Sequence, residues 1–139
     1  RKVFDGGCGT QTAALMGGGH VSPNTDADMV ITESYDGSSW SEVADLSTGR
    51  NQCPQFGTQT ASVVGGGGPF GAYKTIVEEW NGTSWSTGTA MNVGRTQHSG
   101  FGTSAAGMCG TGTISGSNYG IATTEEWAKA VSTQTVTHS

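Results

Sequence analysis

The sequence predicts an all-β protein built from three copies of one four-stranded unit, and three observations lead there. First, Gly9-Thr10-Gln11-Thr12-Ala13-Ala14 returns as Gly57-Thr58-Gln59-Thr60-Ala61-Ser62 and, degraded, as Gly102-Thr103-Ser104-Ala105-Ala106. The offsets are 57 − 9 = 48 and 102 − 57 = 45 residues. A repeat of that length is one supersecondary unit that buries its faces only by stacking on its neighbours. Second, each unit holds short runs bounded by turn residues, with no helical stretch. Third, the 24 glycines recur at fixed positions of the repeat. They punctuate strands and do not mark disorder.

Arg1, Arg50 and Arg95 open the units, which are assigned to residues 1–49, 50–94 and 95–139. Next come Gly9, Gly57 and Gly102, then a strand of small and apolar residues such as Ala13-Ala14-Leu15-Met16 or Ala61-Ser62-Val63-Val64. A glycine cluster ends that strand: Gly17-Gly18-Gly19, then Gly65 to Gly68, and in the third unit Gly110 and Gly112 around Thr111. After a variable loop, the third strand runs into a carboxylate and an aromatic: Glu33-Ser34-Tyr35, Glu78-Glu79-Trp80 and Glu125-Glu126-Trp127. Ile31, Glu33 and Tyr35 share one face, as do Ile76, Glu78 and Trp80, which is the period of two of a pleated strand. Asp36-Gly37 and Asn81-Gly82 predict type I′ hairpin turns, and Trp40 and Trp85 start the last strand. Four strands in 45 to 48 residues, repeated, describe a propeller blade.

The order of glycine cluster, loop, aromatic-Asp/Asn-Gly turn, tryptophan and closing arginine resembles the kelch repeat of β-propellers, over the whole chain. More narrowly, the phrase from Gly57 through the glycines to Glu78-Glu79-Trp80-Asn81-Gly82-Thr83-Ser84-Trp85 is similar to glycine-rich, kelch-like repeats of marine bacteriophage and metagenomic proteins. The third unit departs from the pattern, reading Trp127-Ala128-Lys129 where the turn glycine and second tryptophan belong. Residues 131–139 alternate apolar and polar and are expected to supply its outer strand and to end the parent protein. Three blades do not close a ring, since propellers close with four to eight. The chain opens at Arg1 without Met. It is therefore expected to be the C-terminal part of a larger propeller, completed by upstream blades, or an oligomeric one, completed by other copies of itself.

Trp40, Trp85, Tyr35, Trp80 and Trp127 recur once or twice per unit and are expected to fill the wedges between sheets. Glu33, Glu78 and Glu125 recur with Arg1, Arg50 and Arg95, predicting fork-like ion pairs at the unit boundaries. The glycine clusters lack the lysine and helix of a phosphate-binding loop. Asn81-Gly82-Thr83 matches a glycosylation acceptor, but it is also the hairpin turn. Cys8, Cys53 and Cys109 form no CxxC pair and read as small packed thiols.

Function is expected in the irregular loop after the second strand. It offers His20, Asn24, Asp26 and Asp28 in the first unit, Phe70 and Tyr73 in the second, and Asn118 and Tyr119 in the third. Aromatics beside amides and carboxylates suit a glycan surface. Asn24-x-Asp26-x-Asp28 lacks the glycine and terminal glutamate of an EF-hand loop, so no metal or cofactor is expected. His20, His98 and His138 fall at non-equivalent positions, with no carboxylate or nucleophile motif beside them in sequence, so no catalysis is expected. A net charge of −5 with scattered basic residues argues against a nucleic-acid partner, and no apolar run is long enough to span a membrane. The resemblance implies a non-enzymatic structural or adhesion module of a phage or phage-like virion: a fibre, spike or surface decoration contacting virion proteins or host glycans. The alternatives are a secreted bacterial carbohydrate-binding kelch lectin and a remnant of a propeller enzyme. Each of the first two readings places the protein on a virion surface or outside the cell.

Overall fold

The computed structural model describes residues 2–22, 24–68, 72–116, 120 and 122–129. Among them the regular structure is entirely β, sixteen short strands with no helix. The first unit contains β1 (Lys2–Val3), β2 (Gly7–Thr10), β3 (Ala13–Gly17), β4 (His20–Val21), β5 (Asn24–Asp28), β6 (Thr32–Tyr35) and β7 (Trp40–Glu42). The second has β8 (Gln55–Gly57), β9 (Ser62–Gly65), β10 (Val77–Trp80) and β11 (Trp85–Thr87). The third has β12 (Arg95–Thr96), β13 (Ser99–Gly102), β14 (Ala106–Gly110), β15 (Thr113–Ile114) and β16 (Thr124–Ala128).

Each unit centres on an antiparallel meander: β2-β3-β6-β7, then β8-β9-β10-β11, then β13-β14-β16. The outer strand expected from residues 131–139 lies outside the described residues. The first strands of the meanders lie side by side, β2 against β8 and β8 against β13. Side chains alternate across each sheet, so one face of a unit meets the opposite face of the next. Cys8 and Leu15 of the first sheet turn toward the second, where Cys8 Sγ lies 3.3 Å from Ser62 Oγ and Gln55 Nε2 lies 3.7 Å from Cys8 Sγ. Phe56 and Val63 of the second sheet turn toward the third, where Phe56 fills the space a side chain would need at Gly100 and Gly107. Phe56, Val63, Val77 and Cys109 make one buried cluster, and Leu46, Cys53 and Val64 the other.

The glycine clusters turn the chain where successive units meet. Gly18 donates to Ile31 O and Gly19 to Arg50 O, and one unit later Gly66 donates to Ile76 O and Gly67 to Arg95 O. Gly19 and Gly67 have φ of +116° and +85°, and an added Cβ would strike Val3 O or Asn51 O. Both the backbone twist and the closeness of the neighbouring strand demand glycine there.

The hairpin turns differ from the expected type I′. Tyr35 pairs with Trp40 and Trp80 with Trp85, leaving four residues in each loop. Only the glycines adopt positive φ, +97° at both Gly37 and Gly82. Asp36 Oδ1 instead accepts the N–H groups of Ser38 and Ser39, and Asn81 Oδ1 those of Thr83 and Ser84. These are Asx turns, in which the side chain replaces a backbone acceptor. The Ser39 N–H, aided by Ser38, holds the exposed Asp36 carboxyl down at about 2. Nothing crowds Gly82 closer than 3.3 Å, so Gly82→Ala is expected to lose about 1–2 kcal/mol from backbone strain alone. Thermal unfolding checks this, with Gly82→Asn expected to lose less.

Candidate functional site

Two groups of residues carry the chemistry of the chain, one inside the unit boundaries and one on the rim around the glycine clusters. At the boundaries Arg50 and Glu78 are both fully buried, with Arg50 Nη2 2.6 Å from Glu78 Oε1. The contact is single, not the expected fork, because the other nitrogens serve backbone carbonyls: Nη1 donates to Gly66 O and Ile76 O, and Nε to Thr48 O. The Glu78 carboxylate also accepts the Ser47 N–H and hydroxyl and the Thr48 N–H. The loop leaving the first unit is thereby tied to the second sheet.

The third unit repeats the device. Arg95 Nη2 lies 2.7 Å from Glu125 Oε1, Nη1 donates to Thr111 O and Thr123 O, and Glu125 accepts the N–H groups of Asn92 and Val93. Burial pushes the Glu125 carboxyl upward, but the Asn92 and Val93 N–H groups and the Arg95 guanidinium outweigh it and hold it below the usual range. In the first unit Lys2 stands at the arginine's place in the repeat, with its Nζ 3.0 Å from Glu33 Oε1 and 2.9 Å from Glu42 Oε2. Arg1 lies outside the described residues.

The aromatics divide by position. Trp80 is buried, and its Nε1 donates to Gln59 O in the first turn of its own unit. Trp127 donates likewise to Ser104 O. Trp85 crosses the boundary, donating to Thr32 Oγ1 at 2.9 Å and packing beside Leu46, Cys53 and Val64. Trp40 departs from the expectation that it fills a wedge: it is 43% exposed and rests against Tyr35, their ring centres 5.1 Å apart. Its sheet has no described neighbour on that side.

On the rim, His20–Val21 and Asn24–Asp28 are strands where the sequence suggested an irregular loop. β4 pairs with both β1 and β5 in a small sheet of its own, placing His20 opposite Asp28. Asp5 Oδ2 approaches His20 Nδ1 at 3.5 Å and accepts the Gln52 N–H at 2.8 Å. A carboxylate distant in sequence thus stands beside His20. Asp28 Oδ2 meets Lys74 Nζ at 2.5 Å. Beneath the row, the buried Thr96 hydroxyl shares its one hydrogen between Gly68 O at 2.8 Å and Gln52 Oε1 at 3.1 Å. Tyr73 is half-buried next to Lys74. Asn24 and Asp26 belong to β5, while Phe70, Asn118, Tyr119 and His138 lie outside the described residues. The rim therefore offers the partly exposed Asp5, His20, Asp28 and Lys74 as a band of donors and acceptors, suited to hydrogen-bonding a polar ligand, with Thr96 buried beneath it. Lys74 belongs to the loop of the second unit that the sequence singles out, whereas Asp5 precedes the repeated glycine of the first unit and carries no such signal. Among the described residues no three His, Cys, Asp or Glu side chains converge on one point.

The thiols are free. Burial pushes Cys53 up to about 12 and raises Cys8 and Cys109 as well, leaving all three protonated and poor nucleophiles at neutral pH. No helix among the described residues is long and apolar enough to cross a membrane.

No protein-family model matches the chain, and no curated protein matches its sequence. Its fold is similar to the solved structure described as "Structure of YjhT", with a TM-score of 0.69 and 12% sequence identity. The match covers 91% of this chain and 42% of that one, so the chain spans less than half the length of the protein it resembles.

Proposed function

We propose that the chain is three blades of a kelch-like β-propeller acting as a non-enzymatic structural and adhesion module on the exterior of a phage or phage-like virion, as a fibre, spike or surface decoration. The observation that carries this reading is the recurring Arg–Glu clamp. The charged residues repeated from unit to unit are spent on tying the loop that leaves one unit to the sheet of the next, which suits a rigid scaffold. The virion setting rests on the sequence resemblance alone. Detection of the chain in purified virions supports it, and its absence from them sinks it.

Complementary end faces support closure into a ring. Phe101, Met108 and Glu126 stand in register on the outer face of the third sheet, with Phe101 57% exposed. They occupy the places that Phe56, Val63 and Glu79 hold one unit earlier, where the next sheet covers them. Phe56 seats on Gly100 and Gly107, and their counterparts on the free face of the first sheet are Gly7 and Ala14. A large knob thus has a small-residue socket at the far end of the same chain. Two chains joined end to end make a six-bladed ring; upstream blades of a longer chain would fill the same places. Light scattering on the 139-residue chain is expected to give a dimer, and Phe101→Asp a monomer. A wild-type monomer at high concentration removes the homomeric closure.

A second reading, a secreted carbohydrate-binding lectin, is favoured by the band of Asp5, His20, Asp28 and Lys74 on the rim. Glycan-array binding lost in Tyr73→Ala supports a glycan contact there; binding to no glycan removes it from both readings.

A further inference from the structure

Trp85 shows how one unit seats on the unit before it. Its ring N–H donates to Thr32 Oγ1 at 2.9 Å, and a Cβ added at Gly17 would meet the ring at 3.3 Å. Gly17 and Thr32 stand opposite each other in the first sheet, so together they form one socket. The glycine leaves room for the ring, and the hydroxyl accepts its N–H. The registers place the same two positions in every sheet: Gly65 opposite Val77 in the second, and Gly110 opposite Thr124 in the third. The second socket has no acceptor at Val77, and at the repeat position of Trp85 the third unit carries Ser132, which brings no indole. Tryptophan and threonine thus go together.

One tryptophan and one threonine socket remain, at opposite ends of the chain. Trp40 is 43% exposed on the free face of the first sheet. It rests on Tyr35 as Trp85 rests on Trp80, with ring centres 5.1 Å and 5.3 Å apart, so it already holds the pose of a docked ring. Thr124 is exposed on the free face of the third sheet, as Phe101 is. Thr124 turns its methyl toward Gly110, where Thr32 turns its hydroxyl toward Gly17. Rotation about χ1 exchanges the two groups, and an exposed side chain makes that rotation freely.

We propose that Trp40 of one copy docks into the Gly110–Thr124 socket of a second copy of this chain, its ring N–H donating to the Thr124 hydroxyl. The occupant is a second copy because the socket that matches Trp40 lies on this chain's own far face, beside the Phe101 knob. Phe101 enters over Gly7 and Ala14 while Trp40 enters the other way, so each sheet sends one aromatic into small residues of its partner. The hydrogen bond sets the direction of assembly. Two first sheets packed face to face would bury Trp40 without an acceptor for its N–H. The inference rests on homomeric closure of the ring and adds the contact that fixes its polarity and register.

Sedimentation equilibrium on the full 139-residue chain compares the dimer constants of wild type, Trp40→Phe, Thr124→Val and the double variant. Thr124→Val leaves the docked indole N–H without a partner and is expected to weaken the dimer about fivefold at each of two junctions, about 25-fold in all. In the Trp40→Phe background the same change is expected to stay within about twofold of neutral. Tryptophan fluorescence should shift to the blue on association, and Trp40→Phe should remove the shift with the thermal transition retained. Coupling between the two positions supports the contact. A wild-type dimer in which Thr124→Val costs the same with or without Trp40 overturns the contact and leaves closure through Phe101 standing. A wild-type monomer at high concentration overturns both and leaves the place to an upstream blade.

Discussion

Glu78→Gln is expected to destabilise the protein by about 3–5 kcal/mol, the cost of leaving a buried charge without its counter-ion. Arg50 has no exposed side-chain surface, so neither water nor salt reaches the guanidinium once the carboxylate is gone. The amide also fails as an acceptor. The Glu78 carboxylate receives Arg50 and Thr48 on one oxygen and both groups of Ser47 on the other. An amide turns an NH₂ toward one of those donor sets whichever way it flips. The transition temperature should fall by about 10 °C or more. Glu125→Gln is expected to cost less, because its side chain is 15% exposed and solvent takes up part of the loss. The double change Arg50→Met with Glu78→Leu removes both charges and should recover much of what Glu78→Gln loses. A Glu78→Gln protein within about 1 kcal/mol of wild type would show that the clamp is not what joins the units.

The clamp was legible in the sequence because its parts are periodic. Arg50 precedes Gly57, and Arg95 precedes Gly102, by seven residues, and Glu78 and Glu125 each stand two residues before an aromatic. The same spacing of seven, counted back from Gly9, falls on Lys2. Two adjacent cations, Arg1 and Lys2, stand there, so the sequence alone does not say which of them faces Glu33. Strands and turns were legible for the same local reason: pleats have period two, and turns need glycine, asparagine or aspartate. The type of turn was not, since an Asx side chain and a type I′ backbone draw on the same residues. The rim was the least legible part. β1, β4 and β5 are held by pairing across the unit, and Asp5 reaches His20 only through that pairing.

Acid should weaken the fold between about pH 6.5 and pH 4, and His98 is the reason. Four residues before its repeated glycine, each unit carries a different side chain: Asp5, Cys53 and His98. The first two have partners or suit an apolar place. His98 is 8% exposed, and neither ring nitrogen has a hydrogen-bond partner among the described residues. Burial, and then the Arg95 charge, lower it to about 4 against an opposing pull from Glu125. The unfolded chain takes up the proton near 6.5 and the folded chain only near 4. Stability is therefore complete above about 6.5, falls as pH drops, and levels off below 4, a loss of about 3 kcal/mol. Carboxylates held low in the fold, such as Glu125, add their own loss only at the acid end of that window. Urea titrations at stepped pH separate the two, because His98→Cys installs the residue the second unit already uses and leaves every carboxylate in place. The variant should be nearly flat between pH 6.5 and 5, where wild type slopes. Equal slopes in the two proteins would mean that His98 takes up its proton in the fold as readily as in water, which an imidazole enclosed beside Arg95 with no acceptor for its N–H has no means to do.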